Sequence, residues 1–124
     1  PEKKMFSKQA VCISTAAGAG TKSTNKDIAD SFFFWGIPKI YKYGVNVRAT
    51  SYKGISENTL KAIDKKTTAL AKKIKAKDGK VKVGIKTKAF FELMRIIQRK
   101  SDWNEADTDY WHNKGWDGKK RPWK

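Results

Sequence analysis

The chain has 124 residues, 39% of them hydrophobic and 32% charged, which bounds it to one small soluble domain with a modest core. Its single cysteine excludes an internal disulfide and a cysteine zinc cluster; with no bilayer-length apolar run and no signal-peptide pattern, the expected location is cytoplasmic. The net charge of +16 implies a negatively charged partner, substrate or cofactor, or a missing acidic part of the same protein.

The chain opens at Pro1 without a methionine, and the run Pro1–Lys4 reads as the middle of a longer protein, so lost upstream residues are expected. Pro1–Lys8 is a basic lead-in whose Met5 and Phe6 are expected to pack on a sheet edge. Gln9–Ser14 reads as a first strand, apolar and β-branched at Val11 and Ile13, suited to burial on both faces of a parallel sheet. A loop of small residues follows over Thr15–Thr21. Strand, tight small-residue loop and helix, in that order, is the arrangement in which an open α/β sheet receives a ligand at the carboxyl end of a strand. Small side chains let a ligand approach the backbone, and glycine permits positive φ. The loop therefore reads as the floor of a cofactor site, against the plainer reading of a bare strand-to-helix turn.

A helix is expected from about Ser23 to Trp35. Ser23 or Thr24 would cap it, Asp27 would suit the positive end of its dipole, and Ile28, Ala29, Phe32 and Phe33 would form its inner face. Gly36 ends it and Pro38 prevents continuation. Ile40–Val47 reads as a second strand, with Gly44 marking a bulge or a close approach. The spacing makes a βαβ unit, so the two strands should be parallel. Arg48–Gly54 is a loop. Ser56 caps a second helix to about Lys77, whose Leu60, Ile63, Thr67, Leu70 and Ile74 form one narrow stripe. Asp78–Gly79 closes it. Val81–Ile85 reads as a short strand or an extended crossing segment. A third helix is expected over Thr87–Lys100, with Phe90, Leu93, Met94 and Ile97 on one side. The tail sets Trp103, Trp111, Trp116 and Trp123 among polar residues. A short helix is expected over Asn104–His112, capped by Ser101 or Asp102 and stopped at Gly115.

The segments STAAGAG over 14–20, KSTNKD over 22–27 and FFWGIPKIYKYG over 33–44 resemble the carboxyl-terminal half of flavodoxin-like NAD(P)H-dependent oxidoreductases, the NADPH-dependent FMN reductase family. Trp111, Gly115, Trp116 and the closing Arg121–Lys124 are similar to the ending of the same proteins. The resemblance implies an α/β fold, the carboxyl-terminal part of a flavodoxin-like doubly wound parallel sheet with a helical C-terminal extension. Residues 1–79 would be the βαβα second half of that domain, and residues 80–124 its tryptophan-rich extension. It implies FMN and NAD(P)H as cofactors of the intact protein and a quinone, flavin or other small electron acceptor. Thr15, Ala16, Ala17, Gly18, Ala19 and Gly20 correspond to the positions that contact the isoalloxazine ring. The first three strands of that fold, with the loop that holds the FMN phosphate, are absent. The chain is thus expected to be inactive alone and to pair with another copy or with its missing half, since two parallel strands cannot bury their edges.

Other motifs carry less. Thr21 separates Gly20 from Lys22, which breaks a phosphate-loop pattern, and Ser23 stands where a dinucleotide fingerprint needs glycine or alanine. Cys12, inside an apolar strand, reads as a buried structural thiol. His112, the only histidine, reads as a surface residue without partners. Asp107 and Asp109 are two apart and do not face each other on a helix, so no acid–base pair for hydrolysis is visible. The lysines of 61–77 and the tryptophan tail offer an alternative of another class, a small basic module for nucleic acid. The plainer reading is a solvated helix face and tryptophans that pin the tail to the body or to a neighbouring subunit.

Overall fold

The computed structural model describes residues 1–100 and 104–124. Strand β1 (Gln9–Ala16), helix α1 (Thr21–Phe34) and strand β2 (Lys39–Asn46) form a βαβ unit. The strands pair in parallel from Gln9 opposite Lys39 to Ala16 opposite Asn46. The Val47 N–H extends the ladder by donating to the Ala16 carbonyl at 2.8 Å. The expected parallel pair is therefore present, and β1 runs two residues beyond its expected end: Thr15 and Ala16 belong to the strand rather than to the loop.

Alternation along the strands assigns their faces. Ala10, Cys12 and Ser14, with their partners Ile40, Lys42 and Gly44, turn toward α1. Ser14 Oγ donates to the Thr21 carbonyl at 3.3 Å. A Cβ on Gly44 would lie 2.6 Å from Thr21 Cβ, so the close approach read from the sequence is real and only glycine admits α1 there. The opposite face carries Gln9, Val11 and Ile13. Gln9 Nε2 donates to the Ile74 carbonyl of α2 (Glu57–Lys77) at 3.0 Å, and Tyr41 Oη donates to Gln9 Oε1 at 2.9 Å. Helix α1 thus packs on one face of the strand pair and α2 touches the other through Gln9, giving a mixed α/β fold.

Helix α1 begins two residues before its expected start. Gly20, at φ +103°, is its N-cap; Ser23 lies inside the first turn, its Oγ donating to the Gly20 carbonyl at 2.9 Å. Neither Ser23 nor Thr24 caps the helix, and Asp27 lies beyond the first turn. The inner face is Asn25 and Ala29, both buried, with Phe32 and Phe33 half-buried; Ile28 turns outward. Gly36 closes α1 at φ +91°, its N–H donating to the Phe33 carbonyl and that of Ile37 to the Phe32 carbonyl.

In α2, Ser56 Oγ accepts the Thr59 N–H as expected, and Leu60, Ile63, Thr67, Leu70 and Ile74 are each half-buried, so the narrow stripe is correctly placed. No residue of this helix is fully buried. Residues 81–84 form no strand and link α2 to α3. Helix α3 (Ile85–Lys100) buries Thr87 and Phe91, with Phe90, Met94 and Ile97 half-buried. Leu93 leaves the expected stripe because it stands about 160° around the helix from Phe91. Helix α4 (Glu105–Lys114) is capped by Asn104, whose Oδ1 accepts the Asp107 N–H, and closed by Gly115 at φ +67°. The expected caps Ser101 and Asp102 lie outside the described residues.

The densest packing lies away from the sheet. Phe6, Phe91, Trp111 and Trp116 are buried together, with Trp123 against them. Phe91 stacks on Trp111 at 4.8 Å between ring centroids, and Phe6 meets Phe91 edge-on at 5.9 Å. Phe6 therefore joins the helical cluster rather than the sheet edge, because burying an aromatic ring there is worth on the order of 2–3 kcal/mol. Glu92 ties the last residues to α3, accepting from Arg121 Nε at 2.5 Å and from Arg95 Nε at 2.7 Å.

Candidate functional site at the carboxyl end of the strand pair

The chain turns sharply where β1 leaves the sheet. Ala17, Gly18 and Ala19 form a bend, and Gly20 opens α1 in the left-handed region that an L side chain adopts only under strain. All four are exposed. Thr15, still in β1, is exposed and Ala16 half-buried. A Cβ placed on Gly18 or Gly20 would meet nothing within 4 Å. Among the described residues, no carbonyl or side chain takes the amide hydrogens of Ala17, Gly18 and Ala19. The six expected contact positions thus form one continuous strip of backbone, with no side chain filling the space above its glycines. At Gly18 neither backbone angle nor crowding within the chain requires glycine.

Beside this strip the α1 N-terminus and β2 enclose an open depression of about 730 Å³, lined by Gly20, Thr21, Lys22, Ser23, Asn25, Lys26, Lys42 and Gly44. Gly20 has no side chain to cap the helix, and no acidic residue lies in the first turn. Lys26 pairs with Asp30 at 2.5 Å, and that hydrogen bond holds the Asp30 carboxyl below its ordinary range. Asn25 is only 3% exposed, and its Oδ1 has no hydrogen-bond partner among the described residues. Asn25 is not among the residues the sequence singles out. Its signal was its place on the inner stripe four residues before Ala29, where a polar side chain is out of character.

Remaining candidates lie elsewhere. Cys12 is 1% exposed under α1, and burial pushes its thiol above the ordinary value, as befits a structural residue. His112 is at the surface as expected, but it has a partner: Nδ1 lies 2.9 Å from Asp117 Oδ2, and that bond draws the Asp117 carboxyl downward. Among the described residues no three metal-ligating side chains converge. No helix is long and apolar enough to cross a membrane among them either. Trp111 and Trp116 are buried in the aromatic cluster, so they pin the tail to the body and present no stacking face; Trp103 lies outside the described residues.

Comparison with protein-family models, with curated proteins and with solved structures finds no match to this chain.

Proposed function

We propose that the chain is the carboxyl-terminal half of a flavodoxin-like domain whose intact form is an FMN-dependent NAD(P)H oxidoreductase acting on a small electron acceptor. The observation that carries this reading is the exposed strip Thr15–Gly20 at the carboxyl end of a parallel strand, unobstructed above Gly18 and Gly20. Backbone without bulky side chains leaves room for a planar ring to lie flat. The free amides of Ala17, Gly18 and Ala19 suit the polar edge of an isoalloxazine, and the absence of bulky side chains suits its face. When bound, FMN supplies the hydride chemistry between NAD(P)H and the acceptor. The chain's own part is to orient the ring and, through its positive charge, to favour the anionic cofactor.

The uncovered parts of the sheet support the same reading. Among the described residues, two strands leave both outer edges unpaired. Ile13, in the middle of β1, is 58% exposed on the face away from α1. A missing half of the domain, or a second copy, would cover both. Light scattering should then show self-association of the isolated chain; a monodisperse monomer contradicts the pairing.

The deciding experiment adds FMN to the protein that carries its upstream residues. A yellow complex at micromolar protein is expected. A colourless protein at saturating FMN, or a source gene with no upstream half, overturns the proposal.

A further inference from the structure

We infer that the depression beside Trp123 binds single-stranded nucleic acid, with an unstacked base against the indole and the neighbouring phosphates on a ring of lysines. The inference shares no residue with the strip 15–20 and stands whether or not the flavin reading holds.

The depression measures about 550 Å³, within the range of roughly 300–1,000 Å³ typical of ligand sites. Three segments far apart in sequence build it: the start of the chain, the linker from α2 into the first turn of α3, and the last residues. Each brings lysine: Lys3 and Lys4 from the first, Lys82 and Lys88 from the second, Lys124 from the third. No acidic residue lines the depression, although the chain as a whole carries 12 acidic residues against 28 basic ones. Glu2, next to Lys3 in sequence, is held by the Tyr110 hydroxyl, which donates to its carboxylate at 2.6 Å. Among the described residues none of the five lysines forms an ion pair; Lys3 Nζ donates to the Lys124 carbonyl at 3.3 Å. A concave surface of one sign over an apolar floor focuses its field on a ligand of the opposite charge.

The floor decides which anion. Phe6, Val81, Val83 and Trp123 line it. Unlike Trp111 and Trp116, Trp123 is only half-buried. Its ring is braced by Phe6 at 5.7 Å and by Phe91, edge-on, at 5.0 Å between centroids. An aromatic ring already held in place stacks a base with little further loss of side-chain freedom. Five lysines exceed the charge of one phosphate group and are spread around the depression, which suits a run of phosphates. An acidic peptide brings charge without a flat ring beside each charged unit. The bases of a duplex are already stacked and paired. A membrane surface is flat and does not reach apolar groups at the bottom of a recess.

The test is fluorescence anisotropy of a labelled oligothymidylate of about twelve nucleotides, titrated with the chain at several salt concentrations. Saturable binding is expected, with a log–log salt slope of about −2 to −3.5 for about three to five neutralised phosphates. The same strand without bases should bind about tenfold more weakly, because stacking is lost. Lys82→Ala with Lys88→Ala should weaken the oligothymidylate about tenfold and flatten the slope by about 1.4, whereas Lys72→Ala with Lys73→Ala on α2 should change affinity less than about twofold. By NMR the Trp123 indole N–H should shift on binding, and that of Trp35, exposed at the end of α1, should not. Trp123→Ala should remove the preference for the strand with bases. Both lysine pairs are exposed and the strand without bases is compared on the unaltered chain, so the test stands even if Trp123→Ala fails to fold. Equal affinity for the strand without bases, equal weakening by the two lysine pairs, or no binding at low salt would overturn the inference. So would polyglutamate, duplex DNA or phosphatidylserine vesicles competing as strongly as the unlabelled single strand.

Discussion

The two ends of this molecule treat their backbones in opposite ways. At the aromatic end, Phe6, Phe91, Trp111 and Trp116 interlock around α3 and α4, and Gly36 sits where another side chain would collide. A Cβ at Gly36 would lie 2.7 Å from the Phe6 ring. At the carboxyl end of the strand pair, Gly18 and Gly20 face open space and the amides between them go unused. Gly36 answers to packing against Phe6, Gly18 leaves room, and Gly20 and Gly115 answer to positive φ. Stability is concentrated at one end, and an accessible, positively charged surface is left at the other.

The largest test of that contrast is Trp111→Ala. Removing a buried indole stacked on Phe91 should cost about 3–5 kcal/mol, read as a lower urea midpoint. Next is the glycine pair. Gly44→Ala forces α1 off the strands and should cost about 1–3 kcal/mol, whereas Gly18→Ala should change stability by less than about 0.5 kcal/mol. Equal costs at the two positions would erase the distinction.

A smaller effect concerns acid. Burial opposes ionisation of Glu92, but the bonds from Arg121 and Arg95 outweigh it and hold its carboxyl below the ordinary 4.5. A depressed carboxyl stabilises the fold above its unfolded value and loses that contribution as pH falls through the folded one. Thermal melts below about pH 4.5 should therefore fall more steeply for the parent chain than for Glu92→Gln. Ser56→Ala should cost about 1 kcal/mol from the lost cap of α2, read as a lower urea midpoint.

Much of the architecture was legible because its signals are local. The β-branched run of β1, the glycine at 36 and the three-four spacing of α2 each specify an element without reference to distant residues. What escaped depends on tertiary neighbours. Phe6 looks like a sheet-edge residue until Phe91 and Trp116, some 85 and 110 positions away, draw it into their cluster. Leu93 sits inside an apolar run, yet the burial of Phe91 fixes the helix so that Leu93 faces outward. The start of α1 was displaced because Ser23 resembles a cap, whereas Gly20 takes the left-handed backbone that begins the helix. At the candidate site the small-residue strip was visible in sequence. Asn25 and Lys42 were not, since only the parallel register brings β2 alongside the first turn of α1.

Under the proposed function, the strip from Thr15 to Gly20 is kept clear for a planar ring. The most direct measurement is the FMN dissociation constant of the protein with its upstream residues, compared with Gly18→Trp. Weakening of about tenfold or more, with an unchanged melting temperature, is expected. Undiminished affinity would contradict it, because the indole would then occupy space that the flavin does not use.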